Sequence, residues 1–181
     1  MPPNDFPEQL DELLTYLKGS DIEPHLLGSS QDSSIWAAER GLPYVFADFI
    51  YPAGEPFAAY YRENCERPYV SICVWAICAA TDEEALRLSY SARMLLLCLY
   101  RGRFIPVPPV KAAEEFLKHE GLPPEELPGG RRLITGSPEK VRREIEAVAT
   151  DYGADEIFVV NVMHDHQARM ESYRLLAGAF L

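Results

Sequence analysis

The segment Leu26–Phe49 constrains the fold more than any other part of this chain. Leu26 and Leu27 close an apolar run, and Gly28 lets the backbone turn without a Cβ clash. Four serines (Ser29, Ser30, Ser33 and Ser34) then surround the start of a short helix carrying Trp36, Ala37 and Ala38. Gly41 stops that helix, and Tyr44–Phe49 has the aromatic and β-branched content of a sheet interior. Strand, serine-rich turn, helix, glycine and strand follow one another within a few turns of chain. The first N–H groups of a helix have no intrahelical partner and sit at the positive end of its dipole. With hydroxyls around them they suit a phosphate. Serine is also a preferred N-cap, so by themselves these residues favour simple capping over a ligand.

The rest of the chain continues the alternation. Apolar residues at Leu10, Leu13, Leu14 and Leu17 predict a helix over 7–17. Tyr51–Pro56 ends the second strand, and Phe57–Glu63 predicts a turn or two of helix. Tyr69–Ala79 is apolar at almost every position, as expected of a parallel strand covered on both faces. Thr81, Asp82, Glu83 and Glu84 open a helix that runs toward Tyr100, with Ala92–Tyr100 as a buried face interrupted by Arg93. A Gly/Pro excursion at Arg101–Pro109, a helix over Lys111–Glu120 and a Pro/Gly loop at Leu122–Arg132 follow. Ser137 is the expected cap of a helix with Pro138 first and Val141, Ile145 and Val148 facing inward. Ile157–Val162 is the last strand. Four strands alternating with helices predict an α/β protein with a parallel sheet. Ligands sit beyond the carboxyl ends of such strands. Ser29–Ser34, Asp48–Gly54, Thr81 and Asn161–His166 therefore fall on one rim.

Composition narrows the class. A formal net charge of −11 argues against a nucleic-acid surface. Cys65, Cys73, Cys78 and Cys98 lack metal-ligand spacing, and buried free thiols are the expected state. No apolar run is long enough for a membrane span, and Met1–Phe6 lacks the basic head and apolar stretch of a signal peptide. A cytoplasmic protein is expected. His164 and His166 flank Asp165 after the last strand, but without a third ligand nearby no metal is expected. Asp165 reads as a helix cap, and His25 and His119 as surface residues. Trp36 and Trp75 read as core.

Several strings together carry a resemblance. Leu27-Gly-Ser-Ser-x-x-Ser33 with Trp36-Ala-Ala38 and Gly41-Leu-Pro-Tyr-Val-Phe-Ala47 comes first. Tyr69–Ala85, Thr135-Gly-Ser-Pro-Glu-Lys-Val141, Gly153–Val160 and Asp165-His-x-x-Arg-x-x-Ser-Tyr173 follow in order. This pattern resembles the luciferase-like monooxygenases, the flavin-dependent family that includes bacterial luciferase. That family is a (β/α)8 barrel of about twice this length. The resemblance implies a parallel half-barrel, strands five to eight of a TIM-barrel-type fold, with residues 1–181 forming one luciferase-like domain. Residues 1–18 correspond to the helix after a missing fourth strand, and 26–181 to strands five to eight with their helices.

By the same resemblance Ser29, Ser30 and Ser33, with Ser34 adjacent, hold the flavin phosphate. The cofactor is flavin mononucleotide (FMN) or its reduced form, with the deazaflavin F420 as the alternative, and oxygen and a small organic molecule are the substrates. The family's basic residue after strand four, which adds to the phosphate grip, has no counterpart here, and no catalytic residue is assigned. A catalytically incomplete phosphate-binding remnant, or a truncated reading frame, is the second reading. Unpaired edges of a half-barrel predict a homodimer or other association.

Overall fold

The structure, a computed structural model, describes residues 5–121 and 132–181. The loop expected at Leu122–Arg132 lies outside the described residues except for Arg132. The chain runs α1 (Phe6–Leu17), β1 (Leu26–Gly28), α2 (Gln31–Arg40), β2 (Tyr44–Ala47), α3 (Glu55–Asn64) and β3 (Val70–Cys78). It continues through α4 (Asp82–Tyr100), α5 (Val110–Glu120), β4 (Ile134–Gly136), α6 (Pro138–Tyr152), β5 (Glu156–Val160) and α7 (His166–Phe180). Every strand pair is parallel, as the alternating pattern requires. The order is β1–β2–β3, with both β5 and β4 pairing β3.

Four of these strands are the expected ones. The fifth, β4, lies where the sequence indicates only the approach to a helix. Three residues are too few to show any periodicity. They become a strand because Ile134, Thr135 and Gly136 pair with Ala76, Ile77 and Cys78 at the end of β3. The helix after β2 is also longer than its sequence pattern suggests, with Pro56 accommodated in the first turn of α3, where no N–H partner is lost.

β3 is buried along its whole length, and its alternating side chains divide between two cores. Val70, Ile72, Val74, Ala76 and Cys78 join Tyr44, Phe46, Tyr61, Val141, Ile145 and Tyr152 in the larger one. Trp75 and Ile77 turn the other way, onto Ala85, Leu88, Ala92 and Leu96 of α4 and onto Met163. Those four α4 positions follow the spacing of one helical face. At the end of that helix Leu99 and Tyr100 are exposed, so the buried face is shorter than the apolar run from Ala92 onward.

The starts of α4 and α6 are tied together at the rim. Ser137 N donates to Asp82 Oδ1 at 2.7 Å, and this bond holds the Asp82 carboxyl below its ordinary range. Ser137 precedes Pro138 as expected, but its hydroxyl makes no capping bond to the first turn of α6. Val141, Ile145 and Val148 are buried, in agreement with the helical spacing. The sheet is open. Among the described residues β1 pairs only with β2, and β5 only with β3. Leu27 is 61% exposed and Phe158 42% exposed on these two edge strands. Among the described residues no helix is long and apolar enough to cross a membrane.

Candidate functional site

Parallel pairing puts the carboxyl ends of all strands on one rim, so Gly28, Ala47, Cys78, Gly136 and Val160 open toward the same side. The serine-rich turn follows Gly28 directly, and Asp48, Thr81 and Asn161 leave the same rim.

The four serines form one compact turn with divided roles. Ser30 caps α2, and the capping is reciprocal: Ser33 N donates to Ser30 Oγ and Ser30 N to Ser33 Oγ, each at 3.3 Å. The buried Ser33 hydroxyl also donates to Ser30 O at 2.6 Å. Ser34, fully buried, spends its hydroxyl on Gln31 O at 2.7 Å. Two hydroxyl donors are left, those of Ser29 and Ser30, with no acceptor among the described residues. The N–H groups of Gln31 and Asp32 in the first helical turn likewise have none. Ser33 and Ser34 thus brace the turn, while Ser29 and Ser30 line its outer side. Asp32 adds a carboxylate to the same first turn, which opposes any anion there.

Gly28 has a spatial function. Its φ is not positive, so backbone strain is not the reason for a glycine. A Cβ there would lie 2.2 Å from both Cβ and Oγ of Ser33. The end of β1 and the start of α2 touch, and only a residue without a side chain allows it.

The residues around Asp165 separate into structural duties. Asp165 caps α7 by accepting from Ala168 N at 2.7 Å, as its position in the sequence indicates. His166 Nδ1 lies 3.0 Å from Arg169 Nη2, and His164 is exposed. Asn161 Nδ2 donates to Ser172 Oγ, which in turn accepts from Cys78 N. Among the described residues no three His, Cys, Asp or Glu side chains are grouped to hold a metal ion. All four cysteines are buried, and burial pushes the Cys73 thiol up and the Cys78 thiol to about 11, away from thiolate chemistry.

One network lay beyond sequence reasoning. Asp48, fully buried at the end of β2, accepts from Tyr152 Oη at 3.0 Å and lies 3.4 Å from Arg132 Nε. Tyr152 Oη accepts from Gly54 N at 2.9 Å, and Arg132 Nη2 donates to Pro52 O at 3.2 Å. The carboxylate joins the β2–α3 turn, the end of α6 and the entry to β4. Its signal in the sequence is an acid at the position continuing the Tyr44, Phe46 alternation, where a core side chain is expected. Desolvation raises the Asp48 pKa, against the lowering effects of Arg132 and Tyr152. Folding therefore favours the protonated form. Its contribution to stability is fully present below the ordinary carboxylate range and is lost as pH rises through the elevated folded-state value. Wild type is expected to gain stability relative to Asp48→Asn on acidification from neutral pH, in denaturant titrations across a pH series. A difference independent of pH would contradict this.

No family model matches the chain. It is 28% identical over 198 residues to the luciferase-like monooxygenase of Escherichia coli (strain K12), covering 95% of this chain and 58% of that protein. A relative in Bacillus subtilis (strain 168), the uncharacterized protein YwcH, is 30% identical over 203 residues, covering 97% of this chain and 60% of YwcH. The crystal structure of apo-MsnO8 superposes with a TM-score of 0.82 at 31% identity, covering 99% of this chain and 61% of that one. At 20% identity and a TM-score of 0.61, the fold is shared with the oxygenating constituent of 3,6-diketocamphane monooxygenase in complex with FMN, over 88% of this chain and 48% of that one. An F420-dependent secondary alcohol dehydrogenase shares it at 13% identity and a TM-score of 0.55, over 90% and 50%. The chain spans between about half and three-fifths of the length of the curated relatives it matches. Its open parallel sheet matches part of the TIM-barrel-type architecture of these neighbours, and the chain is similar in sequence and fold to the luciferase-like monooxygenases.

Proposed function

We propose that the serine turn is the phosphate corner of a flavin site, and that the chain is part of a flavin-dependent monooxygenase. The observation that carries this reading is the pair of hydroxyls, Ser29 and Ser30, beside the two unpartnered N–H groups of Gln31 and Asp32, on the carboxyl rim of a parallel sheet. Donors of this kind at a helix start suit a phosphate monoester. Ser33 and Ser34 act behind them by fixing the turn. FMN, or reduced FMN, fits this corner; the deazaflavin F420, the alternative, carries its phosphate as a diester with one charge and fewer free oxygens for the same donors. Reduced flavin supplies the reducing equivalents for oxygen chemistry on a small organic substrate. The chain's own part is to hold the phosphate and orient what is attached to it.

A second reading, a flavin- or phosphate-binding remnant without turnover, is favoured by the sheet's being open among the described residues and by the acidic Asp32 in a corner that needs positive charge.

FMN is expected to bind at least tenfold more tightly than riboflavin, which lacks the phosphate, in fluorescence-quenching titrations. The double substitution Ser29→Ala/Ser30→Ala removes two hydrogen bonds to a charged acceptor, each worth about 1.5–3 kcal/mol. It should reduce the FMN affinity by an order of magnitude or more and leave riboflavin alone. Loss of the Ser30 cap costs about 1 kcal/mol of stability, so binding is measured where circular dichroism shows a folded chain. Equal affinity of wild type for the two flavins would reduce the turn to a helix cap. Tight FMN binding without substrate oxygenation when reduced FMN and oxygen are supplied would support the remnant.

A further inference from the structure

We propose that Tyr44 is a positioning residue for the phosphate corner: its hydroxyl, bonded to Ser33, holds the turn in the shape that presents Ser29, Ser30 and the first N–H groups of α2. This inference rests on the reading of that turn as the flavin-phosphate site. Tyr44 lies eleven residues beyond Ser33, across α2 and the Gly41 turn, and reaches back to it from the neighbouring strand.

The hydrogen-bond geometry decides the direction of the contact. Ser33 Oγ has one hydrogen, and the 2.6 Å bond to Ser30 O uses it. The 3.0 Å contact between Ser33 Oγ and Tyr44 Oη therefore has tyrosine as donor. Ser33 Oγ then accepts from Tyr44 Oη and from Ser30 N, and donates to Ser30 O, so its bonding capacity is filled. A second, longer approach of Tyr44 Oη to Ser30 O, at 3.5 Å, adds little.

The tyrosine itself cannot drift. Its ring is fully buried, 5.3 Å from the Tyr61 ring and 6.1 Å from the Phe46 ring. Its backbone lies in register between Leu26 of β1 and Val70 of β3. Burial pushes the phenol up to about 12, so the hydroxyl keeps its proton at physiological pH and remains a donor. On its other side Ser33 packs so closely on Gly28 that a Cβ on that residue would lie 2.2 Å from Ser33 Cβ and Oγ. Ser33 is clamped between Gly28 and Tyr44, and the capping box it forms with Ser30 inherits that rigidity. Preorganised donors lose less on binding an anion than donors that must first be ordered.

Tyr44→Phe keeps the ring and removes only the hydroxyl. The measurement is the ratio of the riboflavin to the FMN dissociation constant, a quantity that general loosening of the fold does not change. In wild type the ratio is expected to be at least ten. In Tyr44→Phe it should fall about three- to tenfold, through weaker FMN binding alone. Ser33→Ala should lower the ratio as well, and adding Tyr44→Phe to Ser33→Ala should produce no further fall, because the two act through one bond. Should Tyr44→Phe not fold, the same ratio is read in Ser33→Ala, where a fall supports the clamp and an unchanged ratio overturns it. An unchanged ratio in folded Tyr44→Phe, or an equal loss for both flavins, overturns the positioning role while the phosphate corner stands. A wild-type ratio near one overturns the corner, and this inference with it.

Discussion

At about 20 μM, a concentration typical of weak association, the purified chain is expected to sediment with at least twice the mass of one protomer. Among the described residues β1, β4 and β5 each pair with one strand only, so each has a side without a strand partner. Such edges recruit further strands. Register places Leu27 beside Val45, and Phe158 beside Cys73, so the exposed Leu27 and Phe158 side chains continue the sheet face that includes Val45 and Cys73. Covering the exposed part of either one with a partner contributes about 1–2 kcal/mol. Leu27→Glu or Phe158→Lys should therefore weaken association about 5–30-fold, since each 1.4 kcal/mol is a factor of ten. Folding should be affected little, because both side chains are already wet in the monomer. Sedimentation equilibrium of the three proteins is the measurement. A wild-type chain that remains monomeric would mean that the open face is tolerated by water as it stands.

Gly28→Val is expected to abolish the preference for FMN over riboflavin, with a loss of at least about tenfold in FMN affinity. Even an alanine Cβ would overlap Ser33, and the nearest atoms include the Ser33 Cβ, which cannot rotate away. The first turn of α2 has to move outward, and the reciprocal Ser30–Ser33 capping goes with it. Overpacking of this kind costs about 1–3 kcal/mol of stability. Calorimetric titration with both flavins, beside a denaturant titration, separates the two effects. Retention of the wild-type flavin preference in Gly28→Val would show that the corner does not depend on the close approach seen here.

Much of the architecture was legible in the sequence because it rests on local patterns. The unbroken apolar run at Tyr69–Ala79 reports a strand buried on both faces, and β3 is that strand. Gly41 marks the end of α2 and adopts the left-handed conformation that a glycine stop requires. Asp165 does cap α7. The serine turn was legible as a turn, but the division of labour within it was not. Four serines look alike in a string, and only the positions of Gly28, Tyr44 and the α2 backbone turn Ser33 and Ser34 inward. Tyr44 read as one more apolar strand residue, since nothing in the sequence shows where a phenol hydroxyl ends.

The chain by itself determined the alternation of strand and helix, the parallel sense of the sheet and the rim on which the serine turn lies, because side-chain period and crossover length fix these locally. Tertiary structure alone decided three things. It made Ile134–Gly136 a strand, through pairing with a segment more than fifty residues earlier. It gathered Asp48, Tyr152, Gly54 and Arg132 into one buried polar network. It clamped Ser33 between Gly28 and Tyr44. Each joins groups far apart in the chain, and no local period or cap encodes such a contact. Their geometry exists only once the larger core has closed around Tyr44, Phe46 and Tyr152.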